Sequence, residues 1–157
     1  MIITPETTSI GFSNSKSVFL AGTIDNGNSV DWQSMAGELL DADDRIIFNP
    51  RRANWDSLMS PTSDNPKFVQ QVAWEYDALT IADIILFNFL PNSKSPITLL
   101  ELGLFADSGK CVVVCPDEFY RQGNVIFICA EYEIPLYKHM SDGILQVDKQ
   151  LNKIKKR

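Results

Sequence analysis

A chain of 157 residues with 45% hydrophobic content can bury one substantial core, and a single domain over 1–157 is expected. Twenty acidic against fourteen basic side chains leave a formal charge of −6, which argues against a general phosphate-seeking surface and so against a nucleic-acid partner. The opening, MIITPETTSIGFSNSKSVFL, has no basic stretch ahead of its apolar residues, and the longest later apolar run, around IILFNFL, is far short of the roughly 20 residues that span a bilayer; a soluble, cytoplasmic chain without a membrane partner is expected.

Residues 1–15 are polar and read as a loose N-terminal segment. KSVFLAGTI then reads as a buried first strand ending at Gly22, with an Asn/Gly/Asp-rich loop behind it. From Ser29 or Asp31 a helical pattern runs through Trp32, Met35, Leu39 and Leu40, and RIIFNP follows as a short second strand stopped by Pro50. RRANWDSLMSPTSDNP has the composition of a long excursion. Phe68, Val72, Tyr76 and Leu79 mark a helix leading to ADIILFNFLP, the strongest strand pattern in the chain. SPITLLELGLF opens as a helix, with Ser95 as N-cap and Pro96 at the first helical position. KCVVVCP is a fourth strand, NVIFICA a fifth, and residues 141–157 an amphipathic C-terminal helix whose KIKKR end carries solvated charge.

Near-continuous apolar strands alternating with helices predict a mainly parallel sheet of about five strands covered on both faces, an α/β three-layer sandwich. Such sheets bind ligands beyond the C-terminal ends of their strands. That rim collects Gly22, Thr23 and Asp25 after the first strand, Asn49, Arg51 and Arg52 after the second, Ser95 and Thr98 after the third, and Asn124 after the fourth.

No phosphate loop of the GxxxxGK[ST] type is present, so a classical nucleotide switch is disfavoured. Cys111 and Cys115 point to one face of an extended strand about 13 Å apart, too far to share an ion, and with Cys129 they read as reduced structural thiols packed in strands; no metal site is expected. The single histidine, His139, leaves acid–base chemistry to carboxylates and hydroxyls. Glu101, set among Leu99, Leu100, Leu102 and Leu104, and Glu75, on the helix before the third strand, are the candidate catalytic pair, since two carboxylates suit glycosidic chemistry: one attacks the anomeric carbon and the other handles the leaving group's proton. Trp32, Trp55 and Trp74 are core residues or a stacking surface for a base.

VFLAGTID, followed by DW, NPRR, WE, AD and above all SPITLLELG, resembles the nucleoside 2-deoxyribosyltransferase superfamily, specifically its nucleoside 2-deoxyribosyltransferase-like branch, over about Val18 to Ile128. The resemblance implies a flavodoxin- or Rossmann-like fold and a covalent 2-deoxyribosyl intermediate on Glu101. It makes Glu75, eight residues before Asp83, the group that contacts the nucleobase and aids its proton transfer. It implies a small-molecule nucleoside or nucleotide substrate, no cofactor, and a homo-oligomer, dimer or larger, with sites near the interface, where Asn124 would close a neighbouring site. Asp83 is a further substrate-binding candidate beside its reading as a turn residue. Two departures stand out: Ser95 occupies a position six residues before the nucleophile where the family often has an acid, and Phe19 and Leu20 offer no hydroxyl where well-studied members place a tyrosine. Arg51 and Arg52 either hold the long excursion in place or grip a 5′-phosphate, which would turn the substrate to a monophosphate and the reaction toward hydrolysis, as in the deoxynucleoside-monophosphate N-glycosidase branch. The expected activity is cleavage of the N-glycosidic bond of a 2′-deoxyribonucleoside or its monophosphate, with transfer to a second base or to water. The alternative is a nucleotide-binding module without catalysis.

Overall fold

The computed structural model describes residues 1–7, 15–52 and 60–155, apart from the side chain of Asn26. In chain order the elements are β1 (Ile2–Ile3), β2 (Lys16–Gly22), α1 (Trp32–Leu40), β3 (Arg45–Phe48), α2 (Pro66–Ile81), β4 (Ile84–Asn88), α3 (Pro96–Phe105), β5 (Cys111–Val114), α4 (Gln122–Glu131), β6 (Leu136–Tyr137) and α5 (Met140–Lys153). The sheet has six strands in the order β1-β3-β2-β4-β5-β6, and every pairing is parallel.

The strands are apolar throughout because both faces are covered. Phe19 and Ala21, Ile46 and Phe48, Ile85 and Phe87, and Cys111 and Val113 point toward α2, α3 and α4, where Ala78, Leu79, Leu102, Val125 and Cys129 meet them. The alternate residues, Val18 and Leu20, Ile47, Ile84 and Leu86, and Val112 and Val114, meet Trp32, Ala36 and Leu40 of α1 and Ile144, Val147 and Leu151 of α5. The result is the three-layer α/β sandwich that the strand pattern predicts.

The count differs from five in two ways. NVIFICA is helical: it lies in α4, where Val125 and Cys129, one helical turn apart, are buried and Phe127 is 68% exposed. Two short edge strands take its place. Ile2–Ile3, expected within a loose segment, pairs with Ile47 and Phe48, and Leu136–Tyr137 pairs with Val113 and Val114.

The chain leaves β2 for β3 on one side and returns through α2 to β4 on the other, so the order reverses at β2 and a crevice opens above β2 and β4. Gly22 sits at that point because nothing larger fits: a Cβ there would lie 2.4 Å from the Asn88 carbonyl oxygen and 2.5 Å from Cζ2 of Trp32. Asp31 caps α1 by accepting from the Ser34 amide at 3.0 Å, and Asn65 caps α2 by accepting from the Lys67 amide at 3.1 Å. Ser95 caps nothing. Its backbone is left-handed (φ 43°) and its hydroxyl turns inward.

Candidate active site

Glu75 and Glu101 come from neighbouring helices on the same face of the sheet. Glu75 lies on the third turn of α2 and Glu101 on the second turn of α3, and both are partly buried. Burial, reinforced by the negative charge of Glu75, pushes the Glu101 carboxyl up to about 8. Burial also raises Glu75, but a hydrogen bond from Gln71 and the charge of Arg52 pull it back. Burial thus disfavours the charged form of both carboxyls, and Glu75 has Gln71 and Arg52 to favour its charge where Glu101 has a like-charged neighbour.

The local wiring explains the asymmetry. Gln71, one turn before Glu75 on α2, donates from Nε2 to Oε1 of Glu75 at 2.8 Å and to the Pro50 carbonyl at 3.1 Å, and its own Oε1 accepts from Nε of Arg52. Beneath them, Trp74 packs its ring against Phe19 and Phe48 at centroid distances of 6.2 and 6.3 Å. The indole Nε1 of Trp74 is buried without a hydrogen-bond partner among the described residues. Phe19, where a tyrosine would offer a hydroxyl, thus packs on the ring of the residue before Glu75.

The remaining predicted residues divide by what they touch. Thr23 and Ser95 are buried and bonded hydroxyl to hydroxyl at 2.6 Å, with Ser93 joining both at 3.0 and 2.9 Å. Oγ1 of Thr23 also accepts from the Leu90 amide at 3.1 Å. This cluster ties the loop after β4 to the end of β2, and its hydroxyls face each other rather than the crevice. The Thr23 carbonyl receives Nε1 of Trp32 at 2.9 Å, so Trp32 is a core residue that also anchors this loop. Thr98 is buried in the first turn of α3. Asp25 is exposed on the rim, in a left-handed backbone conformation (φ 49°).

Arg51 is fully occupied. Its guanidinium donates to the carbonyls of Gly27 and Ser29 at 2.9 Å each, to Oγ of Ser29 at 3.2 Å and to the Val30 carbonyl at 3.4 Å, and Nε forms an ion pair with Asp31 at 3.7 Å. It braces the loop after β2. Asn49 is buried and accepts from the Arg51 amide at 2.9 Å, which turns the chain into that brace.

Asp83 is not on the rim. It opens β4, and its carboxylate accepts from the Ser17 amide at 2.8 Å and the Ser17 hydroxyl at 2.9 Å, where β2 and β4 begin, at the opposite edge of the sheet. Asn124 is exposed on α4 and lines a groove of about 340 Å³ with Leu99, Leu102, Tyr120 and Arg121. A second hollow of about 630 Å³ lies between the N-terminal strand and the loop after β2, and includes Asn49, Arg51 and Arg52. Neither hollow is lined by Glu75 or Glu101. Trp55 falls outside the described residues.

Other reactive groups stand apart from the pair. Burial pushes the Cys115 and Cys129 thiols up to about 11 and about 12, and raises Cys111 as well, so all three remain protonated core groups. Cys129 sits in a helix rather than a strand. His139 precedes α5, in the layer across the sheet. Among the described residues no group of three or more His, Cys, Asp or Glu is placed to hold a metal ion, and no helix is long and apolar enough to cross a membrane.

The fold is a parallel α/β sandwich of the kind whose ligand sites lie beyond the C-terminal ends of the strands. Within it, the profile described as "Nucleoside 2-deoxyribosyltransferase like" matches residues 15–119, more than half of the chain, and the protein belongs to that family. No curated protein matches the chain in direct sequence comparison.

Proposed function

We propose that the protein cleaves the N-glycosidic bond of a 2′-deoxyribonucleoside through a covalent intermediate on Glu101, with Glu75 handling the proton of the departing base. The observation that carries this reading is the coupled pair itself: two carboxylates on adjacent helices, close enough for the charge of one to raise the other. As the base docks, the proton resting on Glu101 passes to Glu75. The freed Glu101 carboxylate forms a bond to C1′ while the C1′–N bond breaks, its electron pair going to the base nitrogen, which takes the proton from Glu75. Attack on C1′ by water or by a nitrogen of a second base then releases Glu101.

The full occupation of Arg51 favours nucleosides over 5′-monophosphates. A homo-oligomer fits the surface: Ile97, Leu100 and Leu104 on α3 are 59 to 67% exposed, and Val69, Val72 and Tyr76 extend the apolar patch onto α2. A second copy over this face would enclose a carboxylate pair that neither hollow of the single chain contains. Sedimentation analysis tests this directly, since a monomer at micromolar concentration contradicts it.

A nucleotide-binding module without catalysis is the second reading, favoured by Phe19 in place of a hydroxyl and by the inward turn of Ser95. Incubation with a panel of deoxynucleosides and their monophosphates separates the two. Release of free base supports the enzyme, whereas saturable binding without release supports the module.

A further inference from the structure

Gln71 is 3% exposed, and its side-chain amide bridges three groups from two segments. The bridge has only one orientation. The Pro50 carbonyl can only accept and the Arg52 guanidinium can only donate, so the amide oxygen must face Arg52 and the N–H groups must face Pro50 and Glu75.

We propose that Gln71 is a positioning residue for the carboxylate pair: anchored by Pro50 and Arg52, it pins Oε1 of Glu75 and leaves Oε2 of that carboxylate for substrate or for the proton shared with Glu101. This rests on the reading of Glu75 and Glu101 as a working pair. The charged group that acts on Glu75 is Arg52, from the segment after β3; Gln71 contributes from its own helix, and the charge of Glu75 in turn acts on Glu101 of α3. Arg52 and the Gln71 N–H both favour a charged Glu75, and burial opposes it. The bridge therefore favours the charged form of Glu75 before substrate arrives.

The test is a ¹³C titration of glutamate carboxyl carbons in the full chain, with Glu75→Gln and Glu101→Gln used to assign the two signals. In the native protein Glu75 should titrate first and Glu101 second. In Gln71→Met the Glu75 step should rise by roughly one pH unit, the worth of one donated hydrogen bond to a carboxylate. In Gln71→Glu, which keeps the Arg52 contact but turns an oxygen toward Glu75, it should rise further. Arg52→Met, at a partly exposed site, gives a smaller rise and keeps the test available if the buried variants do not fold. A Glu75 step unchanged in the folded variants overturns the proposal, because a merely structural glutamine would leave the titration alone. If the native protein releases no base from any deoxynucleoside, the proposed function fails, and the titration still decides the role of Gln71.

Discussion

Replacing Glu101 with Gln removes an ionisable group while keeping the shape of the protonated acid. A carboxyl raised from 4.5 to about 8 is disfavoured in its charged form by the fold. Between those two values the native state binds more protons than the unfolded chain, so native stability falls as pH rises through that window and levels off above it. A tenfold change in proton affinity is worth about 1.4 kcal/mol, which sets a ceiling of roughly 5 kcal/mol for the move from 4.5 to about 8. Because Glu101 keeps part of its surface in solvent, screening leaves roughly 2 to 3 kcal/mol. Glu101→Gln should therefore match the native protein at pH 5 and exceed it at pH 8.5 by that amount, or by about 5 to 10 °C in Tm for a domain of this size. Urea titrations of both proteins at a series of pH values measure this. A difference that stays constant from pH 5 to 8.5 would refute the claim that Glu101 is held neutral by burial beside Glu75.

Three further outcomes follow from the same geometry. Glu75→Gln should lower the Glu101 pKa below about 8 by removing its like-charged neighbour; it should also abolish the alkaline limb of the rate profile and cost roughly 10² to 10⁴ in rate. That loss should shrink for substrates with good leaving groups, and an equal loss for good and poor ones would make Glu75 a positioning group. Arg51→Ala should reduce kcat/KM equally for nucleosides and monophosphates and lower the melting temperature, since it unties the loop from Gly27 to Asp31; a selective rise in KM for monophosphates would restore a phosphate role. Gly22→Ala should destabilise by roughly 1 to 3 kcal/mol, because its Cβ would meet a backbone carbonyl and the Trp32 ring with no room to yield; an unchanged denaturation midpoint contradicts this.

The four long strands and their two-sided burial were legible because an unbroken apolar run between helical patterns fits little besides a strand covered on both faces. Two-residue strands such as Ile2–Ile3 and Leu136–Tyr137 have no period to read. NVIFICA is rich in Val, Ile and Phe, which favour strands, and a short apolar run cannot be told from a helix by period alone. Helix phase was harder still: Met35, Leu39, Val72 and Tyr76 continue apolar patterns yet face outward, while Ala36, Gln71 and Ala78 are buried. Composition alone does not reveal which side of a helix is left for another surface.

The family spacing singles out Glu75 and Glu101, which lie on neighbouring helices, but it does not reveal the groups that bias Glu75. Gln71 stands four residues before Glu75, a spacing that places both on one helical face, but a glutamine at that distance is unremarkable until Pro50 and Arg52 fix its amide. Ser95 before Pro96 reads as a cap, and its hydroxyl was instead drawn inward by Thr23 and Ser93. Asp83 opens its strand, which by itself places it at the edge away from the crevice.

The central claim is that Glu101 becomes bonded to the sugar, and intact-protein mass spectrometry after rapid acid quench tests it most directly. Incubation with a deoxynucleoside should give a species heavier by one 2-deoxyribosyl group, with proteolytic fragments placing the added mass on Glu101 and Glu101→Gln showing none. Base release without any such adduct, or an adduct that persists in Glu101→Gln, would contradict the account.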